Sequence, residues 1–146
     1  MYIYPEKISR QNLIFKTASQ FELLTFSEAD NWCFSFANGI YVNVEGGLWR
    51  LLRDNKIVKV SYDHEQKFGL SAPLNLTKTV TEILNGKYLT KMEVVETTGD
   101  LLLSISDSIS IEIFITSSGY ESYSFAIDKK RYVGMGSGEI SMHYLK

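Results

Sequence analysis

The sequence predicts an α+β domain that is strongly β-rich: antiparallel meanders forming a curved sheet, sandwich or open barrel, with one helix packed on it. Three observations predict this. Short apolar/polar alternations of period two run from Trp32 to Met135. Pairs and triplets rich in Gly, Asn and Asp punctuate them. The apolar period becomes helical in one stretch only, after Pro73. With 146 residues and 45% hydrophobic composition, the chain reads as a single domain, 1–146, able to bury a core without staples.

The elements follow in order. Leu13-Ile14-Phe15 and Phe21 to Phe26 are two strand candidates, and Ser27 to Asn31 is a loop. Trp32, Phe34 and Phe36 then share one face of a strand, with Cys33 and Ser35 opposite. The Asn38-Gly39 pair suggests a two-residue hairpin, but register rules it out. That loop would put the three aromatics on the opposite face from Ile40, Val42 and Val44. A three-residue loop, Ala37-Asn38-Gly39, pairs Phe36 with Ile40, Phe34 with Val42 and Trp32 with Val44. It places Gly39 at the left-handed position such a loop requires. A two-residue turn at Gly46-Gly47 pairs Val44 with Trp49, and one at Asp54-Asn55 pairs Leu51 with Val58 and Trp49 with Val60. One apolar face thereby persists across four strands.

Leu76, Val80, Ile83 and Leu84 fall at helical spacing, with Asn75 or Thr77 as N-cap and Asn85-Gly86 as the stop. Beyond the helix the period returns to two. A turn at Thr98-Gly99 pairs Val94 with Leu103 and Met92 with Ile105. A loop around Asp107 brings Leu101, Leu103 and Ile105 against Ile109, Ile111 and Ile113. The triplet Ser117-Ser118-Gly119 pairs Ile113 with Tyr123 and Ile111 with Phe125. Arg131-Tyr132-Val133 is a further strand, Gly134 to Gly138 a bend, and Ile140 to Tyr144 a last strand.

Composition narrows the function classes. A net charge of −2 gives no sequence-wide pull toward nucleic acid or membrane. No apolar run approaches a membrane-spanning length, and the start, Met1 to Lys7, lacks a signal peptide's order of basic and apolar regions. The expectation is a cytoplasmic protein. Cys33 is the only cysteine, which excludes an intramolecular disulfide and a thiolate cluster within one chain.

Candidate chemistry is sparse. Asp63-His64-Glu65 groups three potential ligands or a base with two carboxylates, but neighbouring turn residues point apart, and a solvated turn is the plainer reading. Cys33 beside Trp32 and Phe34 reads as a small buried thiol. Gly134 to Gly138 lacks the Lys-Ser/Thr pair and the helix of a phosphate loop. Glu121 falls, in the register above, on the core-facing side, where a carboxylate needs a partner. Arg50, flanked by Leu48 and Leu52, is a candidate partner, either as a structural ion pair or as a charged feature on the rim of a concave surface. Tyr41, Tyr62, Tyr120 and Tyr132 fall near turns or on reverse faces, interspersed with Glu45, Asp63, Glu65 and Glu112. Such a surface suits a protein interface with a basic partner. The candidate binding residues are therefore Tyr41, Glu45, Arg50, Tyr62, Asp63, His64, Tyr120 and Glu121. No catalytic residue, metal ligand or cofactor motif emerges.

Trp49-Arg50-Leu51, Asp100-Leu101 and Tyr120-Glu121-Ser122-Tyr123 occur in that order. In this the chain resembles a family of small bacterial proteins of unassigned function that carry Trp-Arg-Leu, then Asp-Leu, then Tyr-Glu-x-Trp, here with Tyr for the final Trp. Such proteins resemble the immunity proteins of bacterial toxin systems. The resemblance implies a non-enzymatic protein that binds and neutralises a cognate toxin. A small-molecule-binding β-rich domain is the alternative.

Overall fold

The computed structural model describes residues 5–146; part of the stretch read for a leader, residues 1–4, lies outside them. Among the described residues, twelve strands form one antiparallel ladder. They are β1 (Glu6–Ile8), β2 (Ile14–Ser27), β3 (Asn31–Phe36), β4 (Ile40–Glu45), β5 (Trp49–Arg53), β6 (Lys56–Val60), β7 (Tyr88–Val94), β8 (Leu101–Ile105), β9 (Ile109–Ile113), β10 (Tyr123–Ile127), β11 (Lys130–Gly134) and β12 (Ile140–Tyr144). The helix α1 (Leu76–Leu84) lies between β6 and β7. The order across the sheet is β1-β12-β11-β10-β4-β3-β2-β7-β8-β9-β5-β6. The predicted β-rich α+β class is the one observed.

The ladder is bent at β2. The two N-terminal strand candidates are one 14-residue strand. Its first part pairs with β7 and its second with β3, and the register shifts within it, between Lys16 and Ser19 and between Phe21 and Leu23. Such irregularities let a strand turn a corner and serve both sides of it. Two leaves result, one from β1 to β3 in sheet order and one from β7 to β6. Their inner residues meet in a single core. The Trp32 and Phe34 rings of the first leaf stand edge-on to Trp49 of the second, at 5.1 and 5.3 Å between centroids.

Local pairings follow the sequence. Phe36 faces Ile40, Phe34 faces Val42 and Trp32 faces Val44, around a loop in which Asn38 and Gly39 both have positive φ. Ile105 faces Ile109, Leu103 faces Ile111 and Leu101 faces Ile113. The α1 N-cap is Asn75, whose side chain accepts from Lys78 N at 3.2 Å. Leu76, Val80 and Leu84 enter the core.

Long-range pairings depart from expectation. Gly46-Gly47 is not a hairpin turn: Val44 pairs with Tyr123, and Trp49 with Ile113. Nor does Ser117 to Gly119 close a hairpin, since Ile113 lies between Leu101 and Trp49. At both places the chain crosses from one leaf to the other. The physical reason is burial. Trp49 beside Val44 in one ladder would leave the shared apolar face open, whereas Trp49 opposite Trp32 closes it. Each predicted meander is thus divided between the leaves. Two smaller slips have local causes. Val95 N donates to Asp100 O, so the turn after β7 is longer, and Val94 meets Leu101 and Met92 meets Leu103. A bulge between Leu51 and Leu52 moves Leu51 opposite Lys59, although the Asp54-Asn55 turn stands as read.

Candidate functional site

Strand alternation builds the site on the outward face of the first leaf. On β4, Val42 and Val44 point into the core, which leaves Tyr41, Asn43 and Glu45 outward. The matching outward residues are Ser124 and Ala126 on β10, and Arg131 and Val133 on β11. Ser141 and His143 on β12 continue the row, and Lys7 on β1 faces Ser141. Ser124 and Ala126 are small and sit between larger neighbours, so all five residues of β10 are buried. Short side chains in the middle and long ones around them make the face concave. A cleft of about 510 Å³ opens beside this hollow, over β11, β12 and β1, lined among others by Lys7, Glu121, Arg131, Val133, Glu139 and His143.

Its charges are unevenly satisfied. Lys7 is paired with Glu139 at 2.9 Å. Glu45 lies within range of the Glu121 and Arg131 charges. The main-chain bond from Glu45 N to Ser122 O, 3.0 Å, holds the two segments together. Partial burial first, and the Glu121 charge and contact next, push the Glu45 pKa up, while Arg131 opposes them. The Ser124 Oγ, in a residue 0% exposed, and the His143 Nδ1 have no hydrogen-bond partner among the described residues.

The raised Glu45 pKa has a stability consequence. The folded chain holds that proton more tightly than the unfolded chain. Its favourable contribution is complete below the ordinary value near 4.5 and is lost as pH rises through the higher folded value. Glu45→Gln is therefore expected to gain stability relative to the parent as pH climbs from weakly acidic to neutral. Melting temperatures measured across that range check it, and parallel curves would refute it.

The other candidate residues lie elsewhere. Arg50 does not meet Glu121, which is exposed and not core-facing. It faces Glu112 directly across β5 and β9, with Nε to Oε1 at 2.9 Å, and its guanidinium sits 5.2 Å above the Phe114 ring. This half-exposed pair stabilises by about 0–1 kcal/mol. Of Asp63, His64 and Glu65 only the last two meet, with His64 Nε2 3.5 Å from Glu65 Oε1. The Nδ1 of His64 accepts from Leu76 N at 3.1 Å, so the side chain satisfies a free N–H at the start of α1. Its ring packs on Phe26 and Trp32, with 11% of the side chain exposed. Asp63 lies in the short 3-10 turn after β6, and Tyr62 and Glu65 rim a smaller hollow of about 230 Å³. His64 is a structural residue, and among the described residues no three His, Cys, Asp or Glu side chains gather as metal ligands would.

Of the candidates only Glu121 lines the cleft. Tyr41 and Glu45 stand on the same outward face of the leaf, on β4, and Tyr120, 81% exposed, adjoins Glu121 in sequence. Lys7, Arg131, Glu139 and His143 escaped the sequence reading as site residues. The alternation of Tyr123, Ser124, Phe125 and Ala126 was the available signal, because small residues between core aromatics mark a depressed outer surface. Compared with protein-family models, with curated proteins and with solved structures, the chain matches none. No helix among the described residues is long and apolar enough to cross a membrane.

Proposed function

We propose that the protein is a non-enzymatic binding protein of the immunity type, which neutralises a cognate bacterial toxin in the cytoplasm by docking the outward face of its first leaf on it. The observation that supports this is one outward face that carries Tyr41 and Glu45 on β4 and a cleft lined by Glu121, with the exposed Tyr120 next to it in sequence. Exposed tyrosines supply large amphipathic contact area, and carboxylates at the rim select a basic partner and speed encounter. Co-expression with the neighbouring reading frame, followed by affinity capture, tests it. A stoichiometric complex is expected, weakened at least about tenfold by Glu45→Lys with Glu121→Lys. No complex with a neighbour that is expressed and folded would overturn the reading.

The cleft itself favours a second reading, a small-molecule-binding domain. Its volume of about 510 Å³ falls in the range of about 300–1,000 Å³ that holds small ligands. A saturable rise in melting temperature with one compound class, and no protein partner, would move this reading ahead.

A further inference from the structure

We propose that the smaller hollow, at the seam between the leaves, is a receptor for a trimethylammonium head group. It shares no lining residue with the cleft, and the proposal is independent of the protein-binding reading above. Its walls come from four places in the chain. Phe26 stands at the end of β2, Asp30 in the turn after it, Trp32 on β3, and Tyr62, His64 and Glu65 in the segment after β6. Gly46, also a lining residue, is tied to that turn, because its N–H donates to Asp30 O at 3.1 Å and to Asn31 Oδ1 at 3.2 Å. Four of the nine lining residues carry aromatic rings, two carry carboxylates, and none is Lys or Arg.

The rings form one continuous surface. The Phe26, Trp32 and His64 centroids lie 4.4, 4.7 and 5.0 Å apart, and their planes are inclined to one another by 46°, 67° and 72°. A cation seated on this surface comes within the roughly 6 Å at which a ring attracts it for more than one ring at once. Trp32, 3% exposed, lies deepest, and Tyr62, 63% exposed, stands at the rim. His64 adds a ring without a competing charge, because its Nδ1 accepts from Leu76 N and is therefore unprotonated. The Ser61 hydroxyl is already engaged, accepting from Trp49 N and donating to Gly47 O. Neither carboxylate has a Lys or Arg partner among the described residues, and Glu65 meets only the His64 Nε2.

Such a lining attracts positive charge but leaves few acceptors free. A primary ammonium is strongly hydrated and needs acceptors for three N–H donors. A trimethylammonium has no N–H, and ring faces with nearby carboxylates satisfy it. The volume of about 230 Å³ is smaller than the roughly 300–1,000 Å³ of pockets that enclose a drug-sized ligand, and suits a single head group. That group is carried either by a free amine such as choline or by a trimethylated lysine side chain.

The test is a titration of the isotopically labelled protein, followed by amide NMR. Choline is one probe and Nα-acetyl-Nε-trimethyl-L-lysine amide the other. The controls are the neutral choline analogue with a tert-butyl group in place of trimethylammonium, and ethanolamine, the primary amine. Saturable shifts at Asp30, Gly46, Tyr62 and Glu65 are expected with at least one trimethylammonium probe, with weaker binding of both controls. The tighter of the two probes identifies the source of the head group. Tyr62→Leu should weaken binding about two- to fivefold. Asp30→Asn with Glu65→Gln should weaken it and remove most of its salt dependence. All three side chains belong to exposed residues, so the dispersed spectrum of the folded protein should persist in both variants. Binding of either control as tight as that of the trimethylammonium probes, unchanged binding in either variant, shifts confined to another part of the protein, or no saturable shift would overturn the proposal.

Discussion

Trp49→Ala is expected to lower the unfolding free energy by about 3–5 kcal/mol, as far as any single truncation in this protein. The indole is fully buried and lies edge-on to both Trp32 and Phe34. It is where the second leaf meets the first leaf's aromatic row, so its removal leaves a cavity between two rigid surfaces that cannot easily collapse. Chemical denaturation monitored by the fluorescence of the remaining Trp32 measures it. Trp49→Phe should cost much less, since it keeps an aromatic ring in place and removes an indole N–H that has no hydrogen-bond partner among the described residues. Equal losses in the two variants would mean that the ring contacts do not carry the stability assigned to them.

Gly99→Ala is expected to cost about 2–5 kcal/mol, from two effects acting together. Gly99 has φ +82°, where a Cβ costs roughly 1–2 kcal/mol. The added Cβ would also stand 2.5 Å from the Gly138 carbonyl oxygen and 2.8 Å from its Cα, and overpacking of this kind costs about 1–3 kcal/mol. Here the turn of one leaf rests on the bend before β12 of the other, backbone on backbone. The same place holds the Tyr123 hydroxyl, which donates to Gly99 O at 2.7 Å, and Arg10, which donates to Gly138 O at 2.9 Å. Burial, and secondarily Asp100, push the Tyr123 pKa up, so the phenol remains a donor. Gly86→Ala is the control. Gly86 has φ +76° but no atom within 4 Å of an added Cβ, and it should show only the conformational part. The difference between the two variants, measured by urea unfolding, isolates the contact between the leaves.

The sequence was most legible where neighbouring strands pair. The register test on Ala37-Asn38-Gly39, the loop around Asp107 and the Asn75 cap all depend on residues within one hairpin or one helical turn. It was least legible at Gly46-Gly47 and at Ser117 to Gly119. A turn and a crossing both preserve the in/out alternation there, and only contacts between distant segments choose. The site divides the same way. Tyr41, Glu45 and Glu121 announce themselves as polar or aromatic residues beside turns. Arg131, His143 and Lys7 join them only because β10 pairs with β4 and the last strands follow it outward. The Arg50–Glu121 pairing failed for that reason as well, since Arg50 went with β9 to the other leaf.

The crossed closure of the two leaves also sets a timetable for synthesis. The β3–β4 hairpin is complete early, yet the free side of β4 meets β10 only after roughly eighty further residues, seconds later at about 5–20 residues per second. Until then a strand edge with Ile40, Val42 and Val44 on its apolar face stays unpaired on the nascent chain. The β5–β9 closure imposes a similar wait on β5. Pairings this distant in sequence slow folding relative to a simple meander, and during the delay that edge is open to pairing with other nascent chains. Overproduction at lower temperature and slower induction should therefore raise the soluble fraction, without any change in the stability of the finished protein.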